Sequence, residues 1–351
     1  MKRAALESFG LVHSLRGIAA SWVLLFHASE GHHIDQLKAS IPTLSPVIFD
    51  LGDNGVAIFF VLSGFVIAHS LRGRDIDGSF LGRFALRRSI RLDPPLWAAI
   101  AFVLAFTALS AAVKGEAWPA PTAGQILANA TYTQLFLGYP LINPVFWTLC
   151  YEVQFYLALC LWLMLVRRAR LLAYGSMFAV AVAFGSGMVV TPVEGLFVSL
   201  WHCFFLGVLA YWAHHSRTAL VGLALLCVAL ALSGPNIFTI FSMVTAIGLY
   251  FARRTGFIQG GLSWRPIAFL GTISYSLYLT HNPVTGASFF LLDKAGAPQW
   301  AALLLTLGAC VIAAYVFWWL IERPSMNLAH KVRLQAKVEA QAPVTPAIIE
   351  A

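Results

Sequence analysis

Two basic side chains that could handle a proton or an anion lie in one apolar stretch near the start of the chain. Arg16 and His27 belong to the sequence LRGIAASWVLLFH. Eleven residues are three helical turns plus about 20°, so both side chains project from one helix face, about 16 Å apart along its axis. A neutral histidine can act as a general base at physiological pH, and an arginine can bind a phosphate or a carboxylate.

Two further titratable side chains interrupt apolar stretches later in the chain. Glu152 lies in FWTLCYEVQFY, and His281 lies in SYSLYLTHNP. Counted from the ends of their stretches, both fall at a depth similar to that of His27, so we expect three helices to bring three titratable groups to one level. Pro283 is expected to open its helix just beyond His281 and to leave backbone carbonyls for a ligand or water.

The densest basic cluster lies between residues 72 and 91 and contains six arginines. Arg88 and Arg91 are three positions apart on a short helix that Pro94 is predicted to stop. Their guanidinium groups can therefore converge on one anion, which favours a phosphate-bearing ligand. For any single arginine in this cluster, a role in membrane topology or in contact with lipid phosphate is the alternative.

These side chains must be positioned by helices that cross a membrane. The 351-residue chain is 59% apolar and 11% charged, which excludes an ordinary soluble enzyme and a disordered protein. The sequence predicts an all-α membrane protein in which residues 1–330 form a single transmembrane domain and 331–351 a short disordered cytoplasmic tail. The predicted bundle has about ten transmembrane helices, at 11–29, 52–71, 94–113, 147–166, 171–190, 196–213, 218–233, 236–252, 267–289 and 300–320.

The distribution of lysine and arginine predicts the orientation of this bundle. With a cytoplasmic N-terminus, 19 of the 23 Lys and Arg residues lie inside, Lys38, Lys114 and Lys294 lie outside, and Arg16 lies within the first span. The positive-inside rule therefore predicts that both termini are cytoplasmic. The net charge of +8 is then a consequence of topology, and no nucleic-acid partner is expected.

Ionisable side chains at membrane depth are costly unless they face a cavity or a partner, so they are candidates for function. Structural alternatives exist, since Arg16 could extend to the membrane interface and His27 could hydrogen-bond a neighbouring helix. A second functional class is a secondary transporter or flippase of about ten spans. Its intramembrane His, Glu and Arg would be proton or substrate contacts.

Six sequence pieces occur in this order: LRGIAA with His27, GVAIFFVLSGF at 55–65, Arg88-x-x-Arg91 before Pro94, WxLxxExQFY at 147–156, ISYSLYLxH at 273–281 and Glu322-Arg323-Pro324. Together they resemble the acyltransferase-3 family of integral membrane O-acyltransferases. That family modifies polysaccharides, lipopolysaccharide O-antigens, peptidoglycan and some macrolides. Relative to it, Asp93 replaces a usual aromatic residue, Cys150 a frequent serine and Thr280 a common tryptophan. The match would be to a stand-alone form without a fused hydrolase-like domain.

The resemblance implies transfer of an acyl group, commonly acetyl, from cytoplasmic acyl-coenzyme A to a hydroxyl of a carbohydrate or glycosylated acceptor. It makes Arg16 and His27 the essential pair of the first helix. We expect His27 to be the base or a transient acyl carrier, and Glu152 to orient or protonate a partner.

The resemblance also implies binding roles for other residues. We expect Arg87, Arg88 and Arg91 to bind the coenzyme A phosphates, and Trp147, Tyr156 and His281 to line the acceptor pocket. Membrane lipids are the expected surroundings, in a bacterial cytoplasmic membrane. No metal is expected, and the oligomeric state and the identity of the acceptor stay open.

Overall fold

The computed structural model describes residues 9–166, 168–191 and 193–334, which contain 14 α-helices and no β-strand. The helices are α1 (Gly10–Glu30), α2 (Asp35–Ser40), α3 (Gly55–Leu71), α4 (Gly78–Lys114), α5 (Ala123–Ala130), α6 (Trp147–Val166), α7 (Arg170–Gly185), α8 (Trp201–Trp212), α9 (Arg217–Leu232), α10 (Ile237–Arg254), α11 (Phe257–Gly260), α12 (Arg265–Lys294), α13 (Gln299–Phe317) and α14 (Arg323–Lys331). Short 3₁₀ or π segments cover Pro46–Asp50, Gly52–Asn54, Pro144–Phe146, Phe197–Leu200 and Trp318–Glu322. The all-α prediction is confirmed for the described residues, and the predicted tail beyond residue 334 lies outside them.

Each of the ten predicted segments coincides with a helix. In the described part of the chain, six helical segments are long and apolar enough to cross a membrane by themselves. These are Gly10–Glu30, Pro46–Leu71, Gly78–Lys114, Pro144–Val166, Ile237–Arg254 and Gln299–Lys331. The protein is therefore an integral multi-pass membrane protein. The number of ten spans stays a prediction, because α7, α8 and α9 are shorter and α12 is polar in its middle.

The basic cluster and the third predicted span form one helix, α4, of 37 residues. The prediction that Pro94 ends a short helix was wrong, because α4 continues through Pro94 and Pro95 to Lys114. The prolines remove two backbone donors, a loss that packing of α4 against α12 and α14 can offset. The arginines of α4 are consequently carried on the same rigid element as a membrane-crossing segment.

Two pairs of helices cross at glycine residues in the core. A Cβ atom on Gly17 of α1 would lie 2.5 Å from the backbone nitrogen of Gly271 in α12. A Cβ on Gly64 of α3 would overlap the Phe204 carbonyl oxygen in α8, and a Cβ on Gly207 of α8 would likewise overlap a carbonyl oxygen of α3. Only glycine permits such close backbone contact, which fixes the position of each helix against its partner.

Helices α1 and α12 run parallel to each other. Near the start of both helices, the His13 ring nitrogen Nε2 lies 3.2 Å from the Thr272 hydroxyl. Near the other end, His27 Nδ1 lies 3.4 Å from His281 Nε2. From the close approach of Gly17 to Gly271 up to the contact of His27 with His281, both helices advance by ten residues, so they keep one register over about 15 Å.

Helix α3 runs antiparallel to α1. Phe9, just before α1, packs edge-to-face on Phe65 near the end of α3, and Gly55 at the start of α3 lies against Ala19 of α1. Because the beginning of each helix meets a later part of the other, the two helices have opposite directions.

Helix α6 has the direction of α3. The rings of Phe60 and Trp147 are 6.1 Å apart, and one turn further along both helices Ser63 donates a hydrogen bond to Glu152. Helix α6 is consequently antiparallel to α1 and α12, an alternation that the predicted topology requires. We use the term basic end for the end of the bundle at which α1 begins and α3 and α6 finish.

Candidate active site

A cavity inside the bundle brings together side chains from α1, α3, α4, α6 and α12. Arg88 and Arg91 share one face of α4 and both line it, whereas Arg87, about 100° further around the helix, does not. Three guanidinium groups and one carboxylate give the cavity an excess of positive charge, which suits an anion. The polar part of the lining is Arg16, Ser63, Arg88, Arg91, Thr148, Glu152, Tyr156, Tyr275 and Tyr278.

None of the three cavity arginines forms a hydrogen bond or ion pair with another described residue. The Nε atom of Arg16 is buried without a partner, and Arg91 repels both Arg16 and Arg88. Arg88 stacks instead over the ring of Tyr156, at 4.8 Å from its centroid. A buried charge without a direct partner is costly, so the cavity is suited to a bound anion that would satisfy these donors.

Glu152 lies in this cavity and is held by two hydroxyl groups. Ser63 donates to its Oε1 atom at 2.8 Å, and Tyr156 donates to the same atom. The carboxylate also attracts Arg16 and Arg88 electrostatically. Glu152 therefore belongs to the same group of cavity side chains as Arg16 and Arg88.

A second carboxylate, Glu322, lies in the π-helical segment between α13 and α14 and offsets part of the positive charge of the cavity arginines. It is buried and accepts hydrogen bonds from the Ser276 hydroxyl at 2.5 Å and the Ser276 N–H at 3.2 Å. Arg16 and Arg91 attract it. Glu322, from the Glu322-Arg323-Pro324 piece of the sequence, thus lies close to the site to which Arg16 of the first helix belongs.

His27 does not line this cavity and lies beside His281 instead. His27 Nδ1 donates to the Val23 carbonyl at 2.9 Å and lies 3.4 Å from His281 Nε2. His281 is fully buried, and its own Nδ1 donates to Leu277 at 2.9 Å. These bonds place the proton of His27 on Nδ1, so its Nε2 carries the lone pair, 3.8 Å from the Glu30 carboxylate.

The prediction that Glu152 shares a level with His281 was wrong. The hydroxyl oxygens of Thr148 and Tyr278 are 2.9 Å apart, which aligns α6 with α12 at that point. Glu152 lies four residues, about 6 Å, from Thr148 towards the basic end, and His281 lies three residues, about 4.5 Å, from Tyr278 in the opposite direction. The site therefore has two parts, an arginine cavity and a histidine pair, with Tyr278 between them.

Pro283 does not open α12 as predicted. The helix is continuous from Arg265 to Lys294. The Leu279 carbonyl, which Pro283 cannot bond, accepts a hydrogen bond from the Asn143 side chain at 3.1 Å, and Asn282 donates to Asn143 at 3.1 Å. That carbonyl is consequently used inside the protein. No pattern in the sequence pointed to Asn143, which meets α12 only in the folded chain.

The three residues predicted to line an acceptor pocket lie in three places. Tyr156 lines the arginine cavity, Trp147 packs edge-on against Phe60 at 6.1 Å, and His281 contacts His27. Ser63 and Tyr275 were not predicted as site residues. Ser63 is the one polar residue in the stretch 55–68 of α3, and this was the available signal for it.

The segment between α4 and α6 returns to the level of the cavity. The Tyr132 hydroxyl donates to Asp93 at 2.8 Å, and the Trp97 indole donates to the Ala130 carbonyl at 3.0 Å. Burial raises the pKa of Tyr132, so the hydroxyl stays protonated and keeps this bond at neutral pH. Tyr132 has a φ of +60°, which is uncommon for a residue other than glycine and is held here by the surrounding contacts. The part of this segment around Ala130 and Tyr132 therefore packs against α4 near the cavity.

Comparison with known proteins gives one consistent family. Residues 12–322 match the acyltransferase-3 family, described as an acyltransferase domain. "Acyltransferase MdmB" of Streptomyces mycarofaciens is 28% identical over 91% of this chain and 92% of its own length. "Nodulation protein 10" of Rhizobium leguminosarum bv. viciae is 27% identical over 90% of this chain and 92% of its own length.

A longer relative comes from Bacillus subtilis (strain 168). "Putative peptidoglycan O-acetyltransferase YrhL" is 26% identical over 86% of this chain, which spans only 56% of that protein. No solved structure matches the chain. The described residues contain no group of three His, Cys, Asp or Glu side chains placed to hold a metal ion. Because the family match extends from the first helix to Glu322 at the cavity, the chain belongs to the acyltransferase-3 family.

Proposed function

We propose that this protein transfers an acyl group, in the first instance acetyl, from acyl-coenzyme A to a hydroxyl group of a carbohydrate or glycosylated acceptor. The observation that carries the proposal is the convergence of Arg16, Arg88 and Arg91, without direct partners, on one cavity in a member of an acyltransferase family. The name of the Bacillus relative, a peptidoglycan O-acetyltransferase, supports a cell-envelope glycan as the acceptor class. The bacterial cytoplasmic membrane is the proposed location.

The donor enters from the basic end, which the positive-inside rule assigns to the cytoplasm. Guanidinium groups bind phosphate oxygens through charge-assisted hydrogen bonds, so Arg88 and Arg91 hold the coenzyme A phosphates. Arg87 lies outside the cavity and contributes only longer-range attraction. The pantetheine arm then follows α1 from Arg16 towards His27, about 16 Å along the axis.

His27 is the proposed base. Its Nε2 accepts the proton of the acceptor hydroxyl while the hydroxyl oxygen attacks the thioester carbonyl. The carbon–sulfur bond breaks, and the coenzyme A thiolate leaves and takes up a proton. His281 fixes the His27 ring through Nδ1, and Glu30 stabilises the imidazolium that forms.

A second version of the step uses His27 as a nucleophile. Its Nε2 attacks the thioester carbonyl, the carbon–sulfur bond breaks and the coenzyme A thiolate leaves. The acceptor hydroxyl oxygen then attacks the acyl carbon, the carbon–nitrogen bond breaks, and the hydroxyl proton ends on the thiolate. Both versions require the same free nitrogen, and in both a membrane-embedded site keeps water from hydrolysing the thioester. They differ only in whether an acyl-histidine forms.

The test measures transfer of label from radiolabelled acetyl-coenzyme A into the glycan fraction of membranes from cells that express the protein. Replacement of His27 by alanine should lower incorporation at least about 100-fold, the usual contribution of a positioned base. His32→Ala is the matched control, because His32 is exposed and hydrogen-bonds only Asp35. Wild-type incorporation by the His27→Ala protein would refute the proposed role.

A further inference from the structure

A second cavity opens at the basic end of the bundle. It is a groove of about 820 Å³ between α3, α6, α7, α8 and α9. It shares no lining residue with the arginine cavity of the candidate active site. The groove is therefore a candidate binding site distinct from the candidate active site.

The deep wall of the groove is apolar and its mouth faces the surroundings of the bundle. Leu163, Phe178, Phe205 and Leu209 line the interior. Phe178 lies eight residues, about 12 Å, beyond the first residue of α7. Leu171 at the mouth is 89% exposed, so in a membrane-spanning protein it faces lipid. A long apolar slot open to lipid suits an acyl chain, whereas a sugar or nucleotide would lose hydration there without compensation.

The rim of the groove is positively charged. It has three arginines, Arg72, Arg74 and Arg170, against one carboxylate, Asp75. The side chains of Arg72 and Arg170 form no hydrogen bond or ion pair with another described residue, and Arg170 only lies over the Tyr174 ring, at 6.0 Å. Arg170 is also the first residue of α7, where free backbone N–H groups add positive potential.

We propose that this groove binds an anionic phospholipid. The phosphate lies between Arg72 and Arg170, and one acyl chain packs against Phe178 and Phe205. Basic pockets between the ends of membrane helices are suited to anionic headgroups, because charge and depth both match. The groove combines such a rim with an apolar interior that a soluble phosphate compound would not fill.

The experiment is native mass spectrometry of the full-length purified protein with phosphatidylglycerol and phosphatidylcholine that carry identical acyl chains. The wild type should retain phosphatidylglycerol preferentially. A double variant, Arg72→Gln with Arg170→Gln, should bind it about 30-fold more weakly, since each arginine near the surface contributes about fivefold. The matched control is Arg217→Gln with Arg265→Gln. These two arginines are the first residues of α9 and α12, and neither lines the groove, so this variant should bind phosphatidylglycerol as the wild type does.

Three results of the lipid-binding measurements would overturn the proposal. They are equal retention of the two lipids by the wild type, unchanged affinity in the groove variant, and an equal loss in the control variant. Soluble glycerol 3-phosphate should fail to displace the lipid, and displacement at equal concentration would indicate a site for free phosphate instead. Thermal unfolding of both double variants checks that each is folded before the lipid measurements are compared.

Discussion

The Arg16 guanidinium is balanced by carboxylates on two other elements and pairs directly with neither. Glu152 on α6 and Glu322 after α13 both attract it, yet no ion pair joins Arg16 to either. In a membrane-level interior the dielectric constant is low, so charges act over longer distances than in water. The carboxylates can therefore compensate the buried cation while its donors remain available for an anionic substrate.

At the residue scale, alanine substitutions of the neighbouring arginines Arg87 and Arg88 in α4 are predicted to change the KM for acetyl-coenzyme A by very different amounts. Replacement of Arg88 by alanine should raise the KM for acetyl-coenzyme A about tenfold or more with a smaller change in kcat, because a charge-assisted hydrogen bond to the bound donor is lost. Arg87→Ala is the control and should stay near the wild-type KM, since Arg87 does not line the cavity. Initial-rate kinetics of purified protein measure both values. Equal effects of the two substitutions would contradict the assignment of Arg88 to the donor.

At the scale of elements, glycine crossings decide which helices can form one site. The α1–α12 crossing at Gly17 and Gly271 sets the register that brings His27 to His281. The α3–α8 crossing at Gly64 holds α3 where Ser63 meets Glu152. In lipid, helix association depends on close packing because both partners and solvent are apolar, so a side chain at these crossings acts on stability directly.

Replacement of Gly64 by alanine is predicted to destabilise the bundle by about 1–3 kcal/mol, because the new methyl group would overlap a backbone carbonyl of α8. Gly248→Ala in α10 is the control, since, apart from the adjoining backbone of α10 itself, no atom of a described residue lies within 4 Å of the position where its Cβ would be. Alanine is the better helix former, so this variant should be as stable as the wild type or more stable. Thermal unfolding in detergent gives the comparison. An unchanged Tm for the Gly64→Ala protein would show that the crossing can relax.

At the scale of the whole molecule, the arrangement of charge matches the alternating directions of the helices. Arg72 and Arg170 lie at the basic end, whereas Lys114 and Lys294 both reach the Phe290 ring at the opposite end, at 5.4 and 4.5 Å. The positive-inside rule predicts that the end with Arg72 and Arg170 faces the cytoplasm, which is the side of the proposed donor entry.

The predicted orientation can be measured with a membrane-impermeant maleimide. Thr43→Cys, between α2 and α3, should be labelled in intact cells, and Ser79→Cys, at the start of α4, only after the cells are permeabilised. Both positions are exposed, and Cys227, which is partly accessible, is replaced by alanine in both proteins. Labelling of Ser79→Cys alone in intact cells would reverse the topology and move the proposed donor entry to the outside.

The sequence by itself determined where the apolar helices lie along the chain and which side chains carry groups that could bind a ligand. Hydrophobic segments are local, so α1 and α6 were predicted to within a residue or two, and helical periodicity placed Arg88 and Arg91 on one face. The same local signals led to an error at Pro94, because a proline in a helix is a cost that distant packing can offset.

Only the tertiary structure decided which side chains meet. Counting residues from segment ends assigned Glu152 to the level of His27. Helix crossings and the contact of Thr148 with Tyr278 instead set Glu152 in the cavity that Arg88 lines, and His27 beside His281. Each residue of an α-helix advances only about 1.5 Å along the axis, so a shift of a few residues between neighbouring helices changes which side chains are in contact. That shift depends on close contacts between residues far apart in the chain, and no local pattern of the sequence records it.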